Sequence, residues 1–289
     1  MNADTDLFAA GRSFIHREAR LLEQRRFAAA FRNAPVAGAL AALRAYRNAD
    51  GGFGHGLEPD KLCPDSLPID DQMALQIMDD VGIVDPVLAA GICDHLASVA
   101  FDGAVPLATP VIEHFPRAEH WADWTYVPDL NPTAGIVGLL HRHGVEHPWR
   151  DAATAWCWAI LDRDGLPGDG HALLNVTTFL AHVDDRDRAD RIAQGLPEHL
   201  SRVAYMRLDP GDPAYGMTPL HYAPTPTSPW APLFGDDLLA GHLDRMERDQ
   251  ADDGGWTLTW EPPGTAATLA YRGVETLRSL QVLRAYGRC

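Results

Sequence analysis

The amino-acid sequence predicts an all-α protein. Apolar residues recur at helical spacing through most of the 289 residues, and no segment shows a sustained period-2 alternation of β-branched residues. Asp-Gly turns recur after the predicted helices, at Asp50, Asp102, Asp164 and Asp253, with a looser copy at Asp209. Each interval holds about two helices, so we expect an array of helical hairpins that bury their faces against one another.

The predicted helices follow from local signals along the chain. Residues 6–31 repeat an apolar pair every seven residues, which is close to two helical turns. The next helix begins at Pro35, where a missing N–H costs nothing, and ends at the turn of Asp50-Gly51-Gly52. We predict the later helices at 70–81, 85–100, 131–144, 149–163, 172–182, 186–201, 232–249 and 266–286.

Composition excludes several classes of partner. The net charge of −16 disfavours binding to nucleic acid or to anionic membranes. No apolar stretch is long enough to span a membrane, and the N-terminus lacks a signal-peptide core. The four cysteines form no C-x-x-C pair, so we expect reduced thiols and a cytoplasmic location. The sequence gives no sign of a cofactor.

Two further features concern organisation. Lys61 is the only lysine among 24 basic residues, which we attribute to a GC-rich coding sequence. The proline-rich stretch from His221 to Pro232 lies within the spacing of the repeats and does not separate domains. We therefore predict one domain over residues 1–289.

Two of the turns share the pattern Asp-Gly-Gly-aromatic. The copy near the C-terminus comprises Gln250, Asp253, Gly254, Gly255 and Trp256. The other comprises Asp50, Gly51, Gly52 and Phe53, with Arg47 at the position of the glutamine. The pattern resembles the Q-x-x-D-G-G-(W/F) turns of the α/α-toroid superfamily, which includes terpenoid cyclases and protein prenyltransferase β-subunits. The resemblance implies a single toroid of about five to six helical hairpins, in which these turns clamp adjacent repeats.

The catalytic motifs of those families are missing here. The chain has no D-x-D-D motif for protonating an alkene or epoxide, no D-D-x-x-D motif, and no Asp-x-Cys pair for a zinc site. Asp70 and Asp71 are the nearest acids to a D-x-D-D position, but they open a predicted helix and fit N-terminal capping. We predict no bound metal.

The remaining candidates lie in the loops that follow the turns. In a toroid, such loops surround one mouth of the central cavity. The segment His55-Gly-Leu-Glu58-Pro-Asp60 holds two acids separated by a proline, and a buried carboxylic acid beside a carboxylate can donate a proton. We predict Glu58, Asp60 and His55 as catalytic residues; alternatively, the two acids cap the next helix or bind an arginine. The predicted substrate contacts are Trp124, Tyr126, His171, Tyr215, His221 and Trp260.

Three functions fit these features. The first is a terpenoid cyclase-like enzyme that cyclises or isomerises a small, apolar isoprenoid or polyene by general-acid chemistry, because aromatic ring faces stabilise carbocations. The second is a glycan hydrolase or lyase, since (α/α) barrels also carry paired carboxylates. The third is a non-catalytic toroid that serves as a binding module. The oligomeric state is left open.

Overall fold

The structure, a computed structural model, describes residues 3–289, with side chains from residue 7 onward. The prediction of an all-α fold is confirmed. Within that range the chain forms α-helices and short 3-10 segments, and the β-type pairing between its backbone segments is limited to isolated bridges. The chain forms two compact units. Unit 1 comprises the residues up to Ala45 together with Arg207–Cys289, and unit 2 comprises Tyr46–Met206. The single toroid and the single domain stay predictions.

The helices are numbered in chain order. They are α1 Ala3–Glu18, α2 Leu21–Arg32, α3 Ala37–Leu43, α4 Pro68–Asp80, α5 Pro86–Val99, α6 Leu130–Arg142, α7 Pro148–Asp164, α8 Gly170–His182, α9 Arg186–Ala193, α10 Leu196–His199, α11 Pro219–Tyr222, α12 Asp236–Arg248 and α13 Thr265–Ala285. Short 3-10 segments cover 44–46, 110–114, 119–121, 200–202 and 231–233.

Most predicted helix boundaries lie within a few residues of those observed, and two predicted helices are divided. The N-terminal segment breaks between α1 and α2. The helix predicted at 186–201 ends at Ala193, and a short helix follows that carries Pro197 in its first turn. Proline has no N–H to give to the preceding turn, so it starts a helix more readily than it continues one.

In unit 2, α6 packs along α8 and also contacts α4. Gly138 makes the close approach of α6 to α8 feasible, because a Cβ at this position would lie 2.6 Å from the backbone oxygen of Thr178. Gly138 and Thr178 lie in the C-terminal halves of α6 and α8, so the two helices are in close contact there. In unit 1, α13 packs against α1 and α2, and α12 packs against α11.

Both Asp-Gly-Gly turns close in the same way. In each, the aspartate accepts a hydrogen bond from the N–H of the second glycine, and the first glycine takes a positive φ that L-residues rarely adopt. The Asp50–Gly52 and Asp253–Gly255 bonds are both 3.0 Å, and φ is +95° at Gly51 and +91° at Gly254. Both aspartates therefore stabilise their turns, which is the structural role predicted for them.

The second turn is anchored on two helices of unit 1. The N–H of Trp256 donates to Thr276 Oγ1 of α13 at 3.1 Å. Gly255 lies against the ring of Phe14 in α1, where an added Cβ would be 2.7 Å from the ring. Gln250 donates from its side chain to the backbone oxygen of Leu7 in α1 at 3.0 Å. The turn thus joins α13 to α1.

The first turn repeats these contacts in unit 2 with charged partners. The N–H of Phe53 donates to Asp71 Oδ1 of α4 at 2.8 Å. Gly52 lies against the ring of His95 in α5, where an added Cβ would be 2.6 Å away. Asp71 therefore occupies the position of Thr276, and His95 occupies that of Phe14.

A third copy of this arrangement follows Asp102. The N–H of Val105 donates to Thr133 Oγ1 of α6 at 3.1 Å. Gly103 has a φ of +89° and packs near the backbone oxygen of Ala152 in α7. The turns at Asp164 and Asp209 do not share this geometry: the former is the C-terminal cap of α7, and Asp209 accepts a hydrogen bond from Gly211.

Candidate active site at the start of helix α4

Two loop segments of unit 2, residues 57–63 and 105–129, pair with each other beside the first turn of α4. The N–H of Leu62 donates to the backbone oxygen of Pro116 at 2.9 Å, and the N–H of Ala118 donates to that of Asp60 at 2.8 Å. The N–H of Ile69 in α4 donates to the backbone oxygen of Leu107 at 3.1 Å. We call these two segments the paired loops.

Lys61, in the first of the paired loops, has a buried side chain. Its side chain is 1% exposed and forms an ion pair with Glu58. The ammonium also lies 4.7 Å from the ring centroid of Trp121, within the range of a cation–π contact. The partner of Glu58 is thus a lysine three residues along the same loop, and not the arginine that we named as an alternative.

Asp70 shares this buried site. Its Oδ1 accepts a hydrogen bond from the N–H of Glu58 at 2.7 Å, whereas its Oδ2 is buried without a partner among the described residues. Burial raises the pKa of Asp70 to about 7, although the Lys61 ammonium and the Glu58 N–H act to lower it. A carboxyl oxygen that is buried and accepts no hydrogen bond is where a proton is most favourably held.

The expectation that Asp70 and Asp71 cap α4 does not match their contacts. The N-terminal residue before α4, Leu67, supplies no side-chain cap. Both carboxylates accept hydrogen bonds from backbone N–H groups of the preceding loop, those of Glu58 and Phe53. They therefore anchor the loop to the helix.

Asp71 forms a buried pair with His95. Its Oδ2 lies 2.6 Å from Nδ1 of His95, and both side chains are almost fully buried. Burial raises the pKa of Asp71 to about 6. Burial alone would lower the pKa of His95, but the hydrogen bond and charge of Asp71 raise it overall.

A second carboxylate–histidine pair lies at the edge of the site. Nε2 of His120 is 3.5 Å from Oδ2 of Asp60, and the histidine is about half exposed while the acid is buried. Partial burial lowers the pKa of His120, which favours the neutral imidazole at pH 7. His171 is close enough to influence the charge of His120, and its own Nδ1 lies 3.3 Å from Asp169.

Three side-chain amides form a row between α4, α6 and α8, which we call the amide row. Gln72 donates from Nε2 to Asn175 Oδ1. Asn175 in turn donates from Nδ2 to Asn131 Oδ1 at 3.0 Å and to the backbone oxygen of His171 at 2.9 Å. Gly135 leaves room for the row, because a Cβ there would overlap Asn175 Oδ1.

The structure brings together two of the three predicted catalytic residues. Glu58 and Asp60 are both 4% exposed and lie in the loop that contacts Asp70. His55 lies in the same loop, but its Nε2 is bonded at 2.9 Å to Asn48 Oδ1, and its backbone takes a φ of +58°. We therefore assign His55 no part in the proton transfer.

The predicted substrate contacts divide between the two units. Trp124 and Tyr126 pack in unit 2 against an apolar cluster that includes Trp121, and the two tryptophan centroids are 4.6 Å apart. His171, described above, also belongs to unit 2. The three in unit 1 are Tyr215 and Trp260, whose rings meet edge to face at 5.5 Å, and His221, whose Nδ1 accepts the N–H of Thr218 at 2.9 Å.

The sequence did not identify three residues of the site. Asp70 was interpreted as a helix cap, Gln72 belongs to no recognisable motif, and Lys61 was attributed to codon bias. A usable signal existed for Lys61. Because arginine replaces lysine everywhere else in the chain, the one position that keeps lysine indicates a space that a guanidinium does not fit.

Two other kinds of site were considered, a metal site and a surface pocket. Among residues 3–289 no group of three or more His, Cys, Asp or Glu side chains is placed to hold a metal ion. A surface depression of about 320 Å³ is lined by Asp164, Leu166, Gly195, Glu198, His199 and Arg202. It contains none of the groups described above, and we place the site at α4 because the perturbed acids lie there.

Comparison with known proteins gives no family for this chain. No protein-family model matches it, and no significant match is found among curated proteins. Within the described residues, no helix combines the length and the apolar character needed to cross a bilayer.

Proposed function

We propose that the chain is a general-acid enzyme acting on an isoprenoid or another polyene, with Asp70 as the proton donor. The observation that carries the proposal is the unequal bonding of the two Asp70 oxygens: Oδ1 accepts the Glu58 N–H, and Oδ2 is buried without a partner. A pKa raised to about 7 by burial leaves much of this carboxyl protonated at neutral pH. Such a group can supply a proton where an ordinary aspartate cannot.

In the proposed reaction, the proton leaves Asp70 Oδ2 and forms a C–H bond with one carbon of a double bond. The positive charge develops on the neighbouring carbon, and the Asp70 carboxylate that remains is stabilised by the Glu58 N–H and by the Lys61 ammonium. A proton lost from the cation can pass to the neutral imidazole of His120. The proton balance is then restored through solvent, since His120 is about half exposed.

Access to Asp70 requires movement of the paired loops. Asp70 is 1% exposed, so a substrate reaches Oδ2 only when residues 57–63 and 105–129 separate. The apolar cluster around Trp121, with Trp124 and Tyr126 at its edge, would then face the substrate. Aromatic rings suit this position because their faces attract a developing cation.

A second candidate, a glycan hydrolase or lyase, is favoured by the polar groups of the same unit. The amide row offers hydrogen bonds that a hydrocarbon cannot use. Asp60, held near His120, supplies a carboxylate separate from Asp70. An acid and a base on distinct side chains are the minimum that glycoside cleavage needs.

The test measures solvent deuterium in products. The wild-type protein is incubated in D₂O with squalene, 2,3-oxidosqualene and geranylgeraniol, and separately with cellohexaose and chitohexaose, and products are identified by mass spectrometry. Asp70→Asn keeps the oxygen that accepts the Glu58 N–H but cannot give up a proton. Asp102→Asn, at an exposed turn residue with a φ of +53°, is the matched control.

The proposal predicts a deuterated isoprenoid product from the wild type and from Asp102→Asn, and at least about a hundredfold slower turnover for Asp70→Asn. Cleavage of an oligosaccharide without isoprenoid turnover would select the glycan enzyme instead. Turnover of neither class by a folded wild-type protein would leave Asp70 as a structural anchor and the chain as a binding module.

A further inference from the structure

We infer that the amide row is a subsite that binds a hydroxyl group of the ligand. The row joins Gln72 of α4, Asn175 of α8 and Asn131 at the start of α6 by two side-chain hydrogen bonds. The inference deepens the proposed function and rests on it for the isoprenoid nature of the ligand.

The orientation of all three amides follows from one backbone carbonyl. The oxygen of His171 can only accept, so the Asn175 atom 2.9 Å away must be Nδ2, the donor. Asn175 Oδ1 is therefore the acceptor for Gln72 Nε2, and Asn131 must present Oδ1 to Asn175 Nδ2. The row has a fixed direction, and none of its amides can be flipped without losing a hydrogen bond.

This direction leaves an acceptor at one end of the row and a donor at the other. Gln72 Oε1 and Asn131 Nδ2 have no hydrogen-bond partner among residues 3–289. Neither atom is among the buried polar atoms of that range that lack a partner, so both are open to solvent or to a ligand. The two free atoms belong to opposite ends of the row, and we place the ligand hydroxyl at the Asn131 end, where its oxygen accepts a hydrogen bond from Nδ2.

The row is a costly feature in a helix interface. Gln72 and Asn175 are each 8% exposed, and burying amides is unfavourable unless each is hydrogen-bonded. Gly135 is needed beside them, since any side chain would occupy the space of the Asn175 amide. Apolar side chains would pack here without these demands, so stability alone does not account for three amides.

The subsite adjoins the candidate active site through the histidines. Asn175 is bonded to the backbone of His171, and His171 is near enough to act electrostatically on His120. His120 in turn belongs to the pair with Asp60. Asn175, His171 and His120 thus connect the amide row to the groups that we propose move protons.

Two sources can supply the hydroxyl, an isoprenoid alcohol and a sugar, and the test has an arm for each. Binding to the wild type is measured by calorimetry for geranylgeraniol, for the matching hydrocarbon without the hydroxyl, and for cellohexaose. Asn131→Ala is the informative variant, because it removes the free amide donor while Asn175 Nδ2 keeps its hydrogen bond to the backbone oxygen of His171. Asn33→Ala makes the same truncation at an exposed residue of unit 1.

We expect geranylgeraniol to bind the wild type about fivefold more tightly than the hydrocarbon, which is what one extra hydrogen bond of average strength supplies. Asn131→Ala should lose this advantage and Asn33→Ala should keep it. The inference is overturned if the alcohol and the hydrocarbon bind equally, if Asn131→Ala binds the alcohol as well as the wild type, or if no hydroxyl-bearing probe binds. Preferential binding of cellohexaose, weakened in Asn131→Ala, would keep the hydroxyl subsite and assign it to a sugar.

A spectroscopic measurement keeps the inference testable if Asn131→Ala does not fold. In the wild type, the side-chain amide resonances of Asn131 should shift on addition of the alcohol and not on addition of the hydrocarbon. Failure of the acid proposal gives a different result: Asp70→Asn would turn over substrate normally while the hydroxyl preference of the wild type remained.

Discussion

Asp70 accepts the backbone N–H of Glu58 at 2.7 Å through one carboxyl oxygen, while its other oxygen is buried without a partner among the described residues. This contact ties the loop that follows the first Asp-Gly-Gly turn to the first turn of α4. It also places Asp70 beside the ion pair of Glu58 and Lys61. The structural anchor and the candidate proton donor are thus the same side chain.

Replacing Asp70 by Asn should change the pH dependence of stability. The folded pKa of Asp70, about 7, lies above the value of about 4 expected in the unfolded chain, so the folded state prefers the proton. The stability from this group is complete below about pH 4 and is lost as the pH rises to about 7. Relative to the wild type, Asp70→Asn should gain a few kcal/mol in unfolding free energy between pH 5 and 8.

Urea unfolding of both proteins across this pH range checks the prediction, with Asp102→Asn as the control that should follow the wild type. A constant difference between wild type and Asp70→Asn over the whole range would show that Asp70 titrates normally.

Removing the cation of the buried pair should be more harmful than removing the whole pair. Lys61→Met leaves Glu58 charged and buried, which typically costs about 3–5 kcal/mol of unfolding free energy. The double variant Lys61→Met/Glu58→Gln should recover at least half of that loss. Denaturant unfolding of the two single variants and the double variant measures the coupling, and additive losses would contradict it.

The residues that anchor the first Asp-Gly-Gly turn can be replaced by the residue types that anchor the second. Because Thr276 and Phe14 occupy the positions of Asp71 and His95, the double variant Asp71→Thr/His95→Phe should fold with near wild-type stability. His95→Phe alone leaves the Asp71 carboxylate buried without its partner and should cost about 3–5 kcal/mol above pH 6. The folded pKa of Asp71 is raised to about 6, so the stability from Asp71 is complete below about pH 4 and is lost as the pH rises to about 6. The pKa of His95 is also raised, so the stability from its protonated form is present at low pH and is lost as the pH rises through that folded pKa.

Thermal unfolding at pH 5 and pH 8 tests the swap. The wild type should lose more stability between these two pH values than the double variant does. An equally destabilised single and double variant would show that the two turns are not interchangeable.

Glycine substitutions test whether the turns act as close joints between helices. Gly51→Ala and Gly254→Ala place a Cβ at a positive φ and against the backbone oxygens of Gly91 and Ala10. Gly144 also has a positive φ, +62°, but has no atom within 4 Å of the added Cβ. We expect about 1 kcal/mol of destabilisation for Gly144→Ala and an additional 1–3 kcal/mol for the other two. Equal losses at all three positions, measured by denaturant unfolding, would contradict close packing at the turns.

Periodic and local signals in the sequence are sufficient for most of the helices. The apolar repeat and proline at helix starts place α4 to α8 within about two residues, because both signals act along one segment of chain. The division of the N-terminal helix and the short helix after Gly195 were missed, since the apolar pattern continues across both breaks. The shared geometry of the two Asp-Gly-Gly turns was anticipated from glycine and aspartate chemistry.

The site was only partly predictable, because its groups meet through tertiary contacts. The loop with Glu58 and Asp60 stood out by its acids and its proline. Asp70 looked like a helix cap because adjacent acids at a helix start usually favour the helix dipole. The amide row could not be predicted from the sequence. Its three residues come from separate helices and become neighbours only when α4, α6 and α8 pack together.

The most direct test of the central claim is a pH titration of the Asp70 side-chain carboxyl by carbon-13 NMR, with the resonance assigned by its loss in Asp70→Asn. We predict a midpoint near pH 7, as burial of this carboxyl implies. The midpoint should be higher in Lys61→Met, because the Lys61 ammonium acts to lower the pKa of Asp70. A midpoint near pH 4, the ordinary value for aspartate, would contradict the claim that Asp70 holds a proton for transfer.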